Sequence, residues 1–486
     1  MFDVTKPNEY REDNRLEVKR AQKDLPDSLW STYSAFANTY GGVIVLGAEE
    51  NDDKSLRISG LTNADHQIKV FWDTINNRKK VSVNILCDRN VQKIRADEKE
   101  MIVIEVPRAL RQDRPVFING NMYGGTYRRN GEGDYRCTES SVKNMIRDAG
   151  EVTQDRLILD NMSMDVLDRD TIKRYRLRFS NLKPDHVWAN IPDQDFLMKI
   201  GAVKRSEENG KLHPTAAGLL MFGYDHHILD EYPNYFLDYR EPYEKGEGER
   251  WSDRVTSSTG DWSGNLFDFY YRVQDRLTSD LKVPFVLRGW DRIDDTKMHK
   301  AVREALANAL IHSDYYERRG LVIEKWKRTI KISNPGALRI SRAEALNGGV
   351  SDTRNSALFL MFALVDIGER AGSGLMNIEE TWKETGLPSP VLSERFDPDR
   401  TFLVLPLAQN VGINGENVGI KLTKTENKIL DLLANNSRLT VPEIAAEMDL
   451  DTRTIDRGLK KLRDNNIITR VGSRKNGEWK VMERKE

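Results

Sequence analysis

The sequence predicts an α+β protein of several domains, and three observations carry that prediction. At 486 residues the chain is about three times the length of an ordinary single domain. Its first 150 residues alternate short apolar strands, such as Met101 to Val106, with turn-forming clusters, whereas longer helical patterns take over from about 155. Residues 408–420, AQNVGINGENVGI, are rich in Asn and Gly with no helical period, and three short helical segments follow them. The expected organisation is an α+β domain over 1–150, a connecting α/β region over 151–235, an α/β domain over 236–407, a linker over 408–422 and a small helical domain over 423–486.

Each element has a local reason. Leu16-Glu17-Val18-Lys19 reads as a strand whose period of two sends Leu16 and Val18 inward and sets Glu17 beside Lys19 on the other face. Leu29 to Tyr40 reads as a helix closed by Gly41-Gly42. The all-apolar Val43 to Leu46 predicts a strand buried on both faces that delivers Glu49 and Glu50 to its end. Residues 123–136 set Arg128, Arg129 and Arg136 among glycines and Tyr123, Tyr127 and Tyr135, a mixture suited to phosphate contact and base stacking. In HPTAAGLLMFG, Leu219 to Phe222 form a buried strand or helix end. Helices are expected over Leu266–Leu281 and from Lys297 to His312, then a hairpin of Leu321–Lys325 and Thr329–Ser333.

Composition narrows the class. No apolar run approaches the roughly 18 residues of a membrane span, so no membrane partner is expected. The start MFDVTKPNEYRED lacks the sections of a signal peptide, and only Cys87 and Cys137 are present, which together point to the cytoplasm. Two distant cysteines and seven histidines without ligand spacing predict no structural zinc. No GxxxxGK[ST] loop occurs, which argues against a Walker-type ATPase. A formal charge of −1 means that any nucleic-acid-binding surface is local.

That local surface is expected at the C-terminus. Helices are read over Lys424–Ala434, Val441–Met448 and Arg453–Asn465; in the third, Ile455, Leu459 and Leu462 form an inward stripe opposite Arg453, Thr454, Arg457, Lys460 and Lys461. Two strand-like runs then flank GSRKNG, with Arg474 and Lys475 at its tip. From Thr452 onward there are 11 Lys or Arg against 5 Asp or Glu, a net of about +6. The pattern resembles a winged helix-turn-helix, which implies DNA binding and commonly dimers, so a homo-oligomer, dimer or higher, is expected.

A second constellation lies upstream. Glu304, Asn308 and His312 recur at four-residue spacing on one face of AVREALANALIH, followed by Asn334 and Gly336 in ISNPGAL and by Gly372 and Gly374 in ERAGSGL. Together these resemble the GHKL ATPase fold, and with SDTRNSALFLMF they look like the C-terminal region of bacterial divergent helicase-related regulators. The resemblance implies ATP with Mg²⁺ as cofactor. It makes Asn308 the metal ligand, Glu304 the residue placed to activate water, and Gly336, Gly372 and Gly374 the means of close phosphate approach. Asn334 stands where the family has an Asp that reads the adenine amino group; it keeps an acceptor but weakens that recognition, and leaves both hydrolysis and binding alone open.

REDNRLEVKR followed by SAFANTYGGVIVLGAEE resembles the Schlafen core, an AlbA-like domain. Members with ribonuclease activity carry three carboxylates, which fall here on Glu12, Glu17 and Glu50, the last replacing a usual Asp. Such acids can hold Mg²⁺ or Mn²⁺, and Lys19 is placed to steady the scissile phosphate. Two functions follow. One is an ATP-responsive, metal-dependent endoribonuclease acting on RNA, for instance transfer RNA, in stress or anti-phage defence. The other is a non-enzymatic, ATP-binding transcriptional regulator that reads DNA through Arg453, Thr454 and Arg457.

Overall fold

The computed structural model describes residues 15–51, 55–96, 98–243, 251–279, 281, 287–288, 291–292, 296–368 and 374–407, and towards the C-terminus 425, 428–429, 432–433, 439–448, 450–464, 468–471 and 478–481. The chain forms two compact units, Met1–Ala408 and Gln409–Glu486.

The first unit begins with a four-stranded sheet in the order Leu16–Lys19, Gly42–Leu46, Lys99–Val106, Val91–Ala96. Its first pair is parallel, with Leu16 opposite Val43 and Lys19 opposite Leu46. Parallel neighbours need a crossover, which here contains the helix Ser28–Ala37. Alternation sends Ile44 and Leu46 into a core with Leu29, Tyr33 and Phe36, and Val45 into a second core with Leu16, Val18, Leu56 and Ile58. Both faces are thus covered, as the apolar run predicts. The helix stops at Ala37 rather than Tyr40 because Asn38 is committed elsewhere: its amide accepts from the Val116 N–H and donates to the Val116 carbonyl, both at 2.8 Å.

The remainder of this unit is built on a six-stranded sheet in the order Trp251–Thr256, Leu237–Pro242, Leu321–Trp326, Thr329–Pro335, Arg400–Pro406, Val391–Arg395. The predicted hairpin is present, with Val322 opposite Ser333, while the strands at 391–395 and 400–406 go unanticipated by sequence periodicity. Helices Leu266–Thr278, Lys297–His312 and Gly374–Thr385 belong to the same region. LLMF resolves as part of a helix, Ala216–Phe222, buried at all seven positions and capped by Thr215, whose Oγ1 accepts the Gly218 N–H at 3.0 Å. One hydrophobic core runs from Leu159 to Leu405.

In the second unit, helices Val441–Met448 and Thr452–Asp464 precede the antiparallel pair Ile468–Val471 and Glu478–Val481. Ile455, Leu459 and Leu462 are buried with Ile429, Leu433 and Ile444, so the predicted stripe faces the core. Asp451 caps the Thr452–Asp464 helix by accepting from the Thr454 N–H at 2.9 Å.

Candidate nucleotide cavity and nucleic-acid-binding surfaces

The helix Lys297–His312 buries Ala301, Ala305, Leu306, Ala309 and Leu310, which leaves its four-residue stripe of Glu304, Asn308 and His312 facing a cavity. The strand Thr329–Pro335 contributes Ile332 and Asn334 to the same space, and Arg400–Pro406 contributes Thr401, which pairs with Asn334 in register, and Leu403. The cavity has an accessible volume of about 140 Å³ and opens to solvent at its mouth.

Glu304, Asn308, Asn334 and Gly374 of the expected set therefore meet on one cavity. Gly374 sits so close to the stripe that a Cβ would stand 2.6 Å from Glu304 Oε1 and 2.7 Å from Asn308 Nδ2. Only glycine leaves those two polar groups their room. Asn334 donates from Nδ2 to the Ala309 carbonyl (2.7 Å) and to Ser313 Oγ (3.2 Å), which fixes its amide and leaves Oδ1 as the acceptor for an amino-bearing ligand. Gly336 departs from expectation. It does not line the cavity; its φ is 98°, and a Cβ would lie 2.5 Å from Arg354 Nη1, so its open side houses a guanidinium. Gly372 lies outside the described residues.

Three further groups on this wall carry charge or a proton. Burial, then Arg354 and Arg339, pushes the His312 imidazole down to about 4, so it faces the cavity neutral at physiological pH. Burial, then Arg354, lowers Arg339 to about 10, still a cation, and its buried Nε has no hydrogen-bond partner. Asp352 pairs with Arg339 at 3.5 Å and with Arg111 of the N-terminal region. For a magnesium ion, Glu304 and Asn308 offer hard oxygen donors of the kind that holds it while it keeps most of its waters.

The carboxylates of the N-terminal domain are arranged differently. Glu17 Oε1 accepts from Lys19 Nζ at 2.8 Å, and Oε2 is paired with Arg129 Nη2 at 2.8 Å. Glu50 is exposed at the end of a separate two-stranded sheet, Ala48–Glu50 with Leu56–Ile58, and Glu12 lies outside the described residues. Among the described residues no group of three His, Cys, Asp or Glu is placed to hold a metal ion.

The basic segment 123–136 also needs correction. Arg128 and Arg129 are 3% and 4% exposed. Arg128 forms a fork with Asp399 (Nη2 to Oδ2, 2.9 Å) and lies over the Phe396 ring at 4.5 Å. Arg129 bridges Glu17 and Asp134 and lies 5.3 Å over Phe36. Both arginines are internal struts, unavailable to a nucleic acid, whereas Arg136, Tyr123 and Tyr135 are exposed. On the Thr452–Asp464 helix, Arg453 and Arg457 are exposed. Thr454 is half-buried, and its hydroxyl donates to Asp451 at 2.6 Å. The side chain of Lys460 and residues Arg474 and Lys475 lie outside the described residues.

Family models match the chain in four stretches. Residues 12–138 match the Schlafen, AlbA_2 model. The N-terminal domain is a Schlafen AlbA-like domain. Residues 143–238 match a domain of unknown function, DUF8451. Residues 297–405 match the recG C-terminal HATPase_c_4 model, and 422–469 match a winged helix-turn-helix DNA-binding model. The Schlafen domain thus shares its chain with an ATPase-like region and a winged helix, domains of nucleic-acid-binding and nucleotide-handling types.

Among solved structures, the DIP2311 protein from Corynebacterium diphtheriae is similar at 15% identity over 96% of this chain and 79% of that one, with a TM-score of 0.39. The N-terminal domain of a RecG-related protein from Nitrosomonas europaea is similar at 26% identity over 28% of this chain and 90% of that one, with a TM-score of 0.22. No curated protein matches. No helix among the described residues is long and apolar enough to cross a membrane.

Proposed function

We propose that the protein is an ATP-binding regulator that binds DNA through its winged helix, with nucleotide held in the cavity of the Lys297–His312 helix. The observation that carries this reading is the convergence of Glu304, Asn308, Asn334 and Gly374 on one cavity. Magnesium would sit with Glu304 and Asn308 against the phosphates. Asn334 Oδ1, its amide anchored by Ala309 and Ser313, would accept from the exocyclic amino group of adenine and disfavour guanine, which presents a carbonyl there. DNA would be met by the exposed Arg453 and Arg457, with Thr454 spent on its helix cap.

Fluorescence anisotropy with labelled duplex DNA, with and without Mg-ATP, tests both halves. Arg457→Ala is expected to weaken binding about tenfold and to lower the slope of log affinity against log salt by about one. Unchanged binding in Arg457→Ala would remove that helix from the interface, and wild-type affinity indifferent to Mg-ATP would remove the regulatory link.

A second reading, a metal-dependent endoribonuclease, is favoured by one feature: Glu17 and Lys19 lie side by side on the strand Leu16–Lys19, 2.8 Å apart. For this activity Arg129 would have to release Glu17 to a metal ion. Incubation of labelled transfer RNA with Mn²⁺ or Mg²⁺ decides it. Cleavage by the wild type that Glu17→Ala abolishes supports the nuclease; equal cleavage by both proteins assigns it to a contaminant.

A further inference from the structure

The wall of the nucleotide cavity is bolted to the Schlafen domain. Arg108 donates to the Leu338 carbonyl at 2.9 Å and grips Glu394 at 2.6 and 3.1 Å, while Glu394 accepts from the Leu338 N–H at 2.7 Å. Arg111 pairs with Asp352. Leu338, Asp352 and Arg354 all line the cavity.

Arg354 ties these parts together. It donates to both oxygens of Asp148 (3.0 and 2.7 Å) in the helix Glu139–Ala149, to the carbonyl of His312 (2.7 Å) at the end of the cavity helix, and to the carbonyl of Ala337 (2.9 Å) in the turn beyond Asn334. Arg339 and Arg354 together line both the cavity and a narrower crevice that contains Asp148. Burial alone would raise the Asp148 carboxyl, but Arg354, Arg339 and Arg114 hold it below its ordinary value, so the pair is fully charged.

We propose that Arg354 is a positioning residue shared by the nucleotide cavity and the helix Glu139–Ala149, which adjoins the Schlafen domain and is held to it by Arg111 at the Asp148 carbonyl (2.9 Å), so that occupancy of the cavity sets how firmly residues 107–114 and 139–149 are docked. The inference rests on the nucleotide reading given above. A guanidinium is a rigid planar fork whose bonds hold at one relative placement of their acceptors. A ligand that engages Asn334 and the Glu304 stripe orders the two carbonyls that Arg354 holds, and the partly buried Asp148 must then keep its place or lose its counter-charge. Linkage makes the effect reciprocal: loosening the Asp148 end weakens nucleotide binding by the factor with which nucleotide tightens docking.

The experiment is amide hydrogen exchange on the full chain, with and without magnesium and a non-hydrolysable ATP analogue, alongside calorimetry of the same pair. In the wild type, nucleotide is expected to slow exchange about tenfold in 107–114 and 139–149 as well as in the cavity elements. Asp148→Asn is expected to bind about fivefold more weakly and to lose the slowing in 107–114 and 139–149 while keeping it at the cavity helix. Should that variant fail to fold, Arg111→Ala, which keeps both side chains of the Arg354–Asp148 pair but removes the bonds from Arg111 to Asp352 and to the Asp148 and Gly150 carbonyls, is expected to lose the slowing in 107–114.

Binding with slowing confined to the cavity elements overturns the coupling and leaves the nucleotide reading standing. Variants that keep wild-type affinity and the full exchange pattern also overturn it. A wild type that binds no adenine nucleotide overturns the nucleotide reading, and the coupling with it.

Discussion

Asn308→Ala is expected to weaken Mg-ATP binding by about 100-fold or more in calorimetry, while the fold and the melting temperature stay close to wild type. The expectation follows from position. Asn308 sits mid-stripe between Glu304 and His312, flanked on the cavity wall by Ala305 and Ala309, on a helix anchored by the buried Ala301, Leu306 and Leu310 away from the cavity. Alanine suits a helix better than asparagine, so the cost is confined to the ligand. A metal-ligating group carries more of the metal's affinity than the outer residues whose loss already costs 10- to 100-fold. Gly374→Ala serves as a companion, since its Cβ would crowd both Glu304 and Asn308 and lower affinity without removing either. Equal affinity in wild type and Asn308→Ala would relocate the ligand site.

The second large effect is on stability. Arg128→Ala leaves Asp399 buried without its counter-ion and strips the cation from the Phe396 ring, a loss of about 3–5 kcal/mol. Thermal and urea denaturation of the first unit's signal would both report it. Were Arg128 a nucleic-acid contact, the variant would instead melt normally and lose affinity for RNA or DNA. Replacing both partners, as in the double variant Arg128→Met with Asp399→Leu, should recover most of the loss, because the penalty lies in the orphaned charge rather than in the missing attraction.

How much was legible follows from how far apart the partners lie. The cavity stripe could be read because its spacing is local: Glu304, Asn308 and His312 repeat at the helical period, and Asn334 and Gly374 punctuate later turns. The winged-helix core was legible for the same reason, through Ile455, Leu459 and Leu462. Arg128 and Arg129 were misread because glycines and tyrosines around arginines describe a solvated basic hairpin equally well, and the acid that buries Arg128 lies 271 positions away. Arg354 fell inside the recognised stretch SDTRNSALFLMF without a role of its own, and Asp148 and Arg111 carried no local signal. Their meaning is an interface, and periodicity reports one element at a time. Asn334 was legible as an acceptor, but the bonds to Ala309 and Ser313 that aim it needed the fold.

The continuous core from Leu159 to Leu405 bears on how this protein can be divided and inherited. Two separately recognised family segments, 143–238 and 297–405, draw on that single interior. The Asp155 carboxylate accepts the N–H groups of Ala357 and Leu358 at 2.7 and 2.9 Å, closing the start of the helix Ser356–Leu364, and the Tyr175 hydroxyl donates to the Met361 carbonyl at 2.7 Å. A fragment cut at 297 would lose that helix cap and expose the apolar surface that Phe179, Leu219 and Phe222 cover. The ATPase-like segment is therefore no detachable cassette. Recombination could exchange the winged helix beyond residue 408 with little cost to the interior, but it would have to carry 151–407 as one piece.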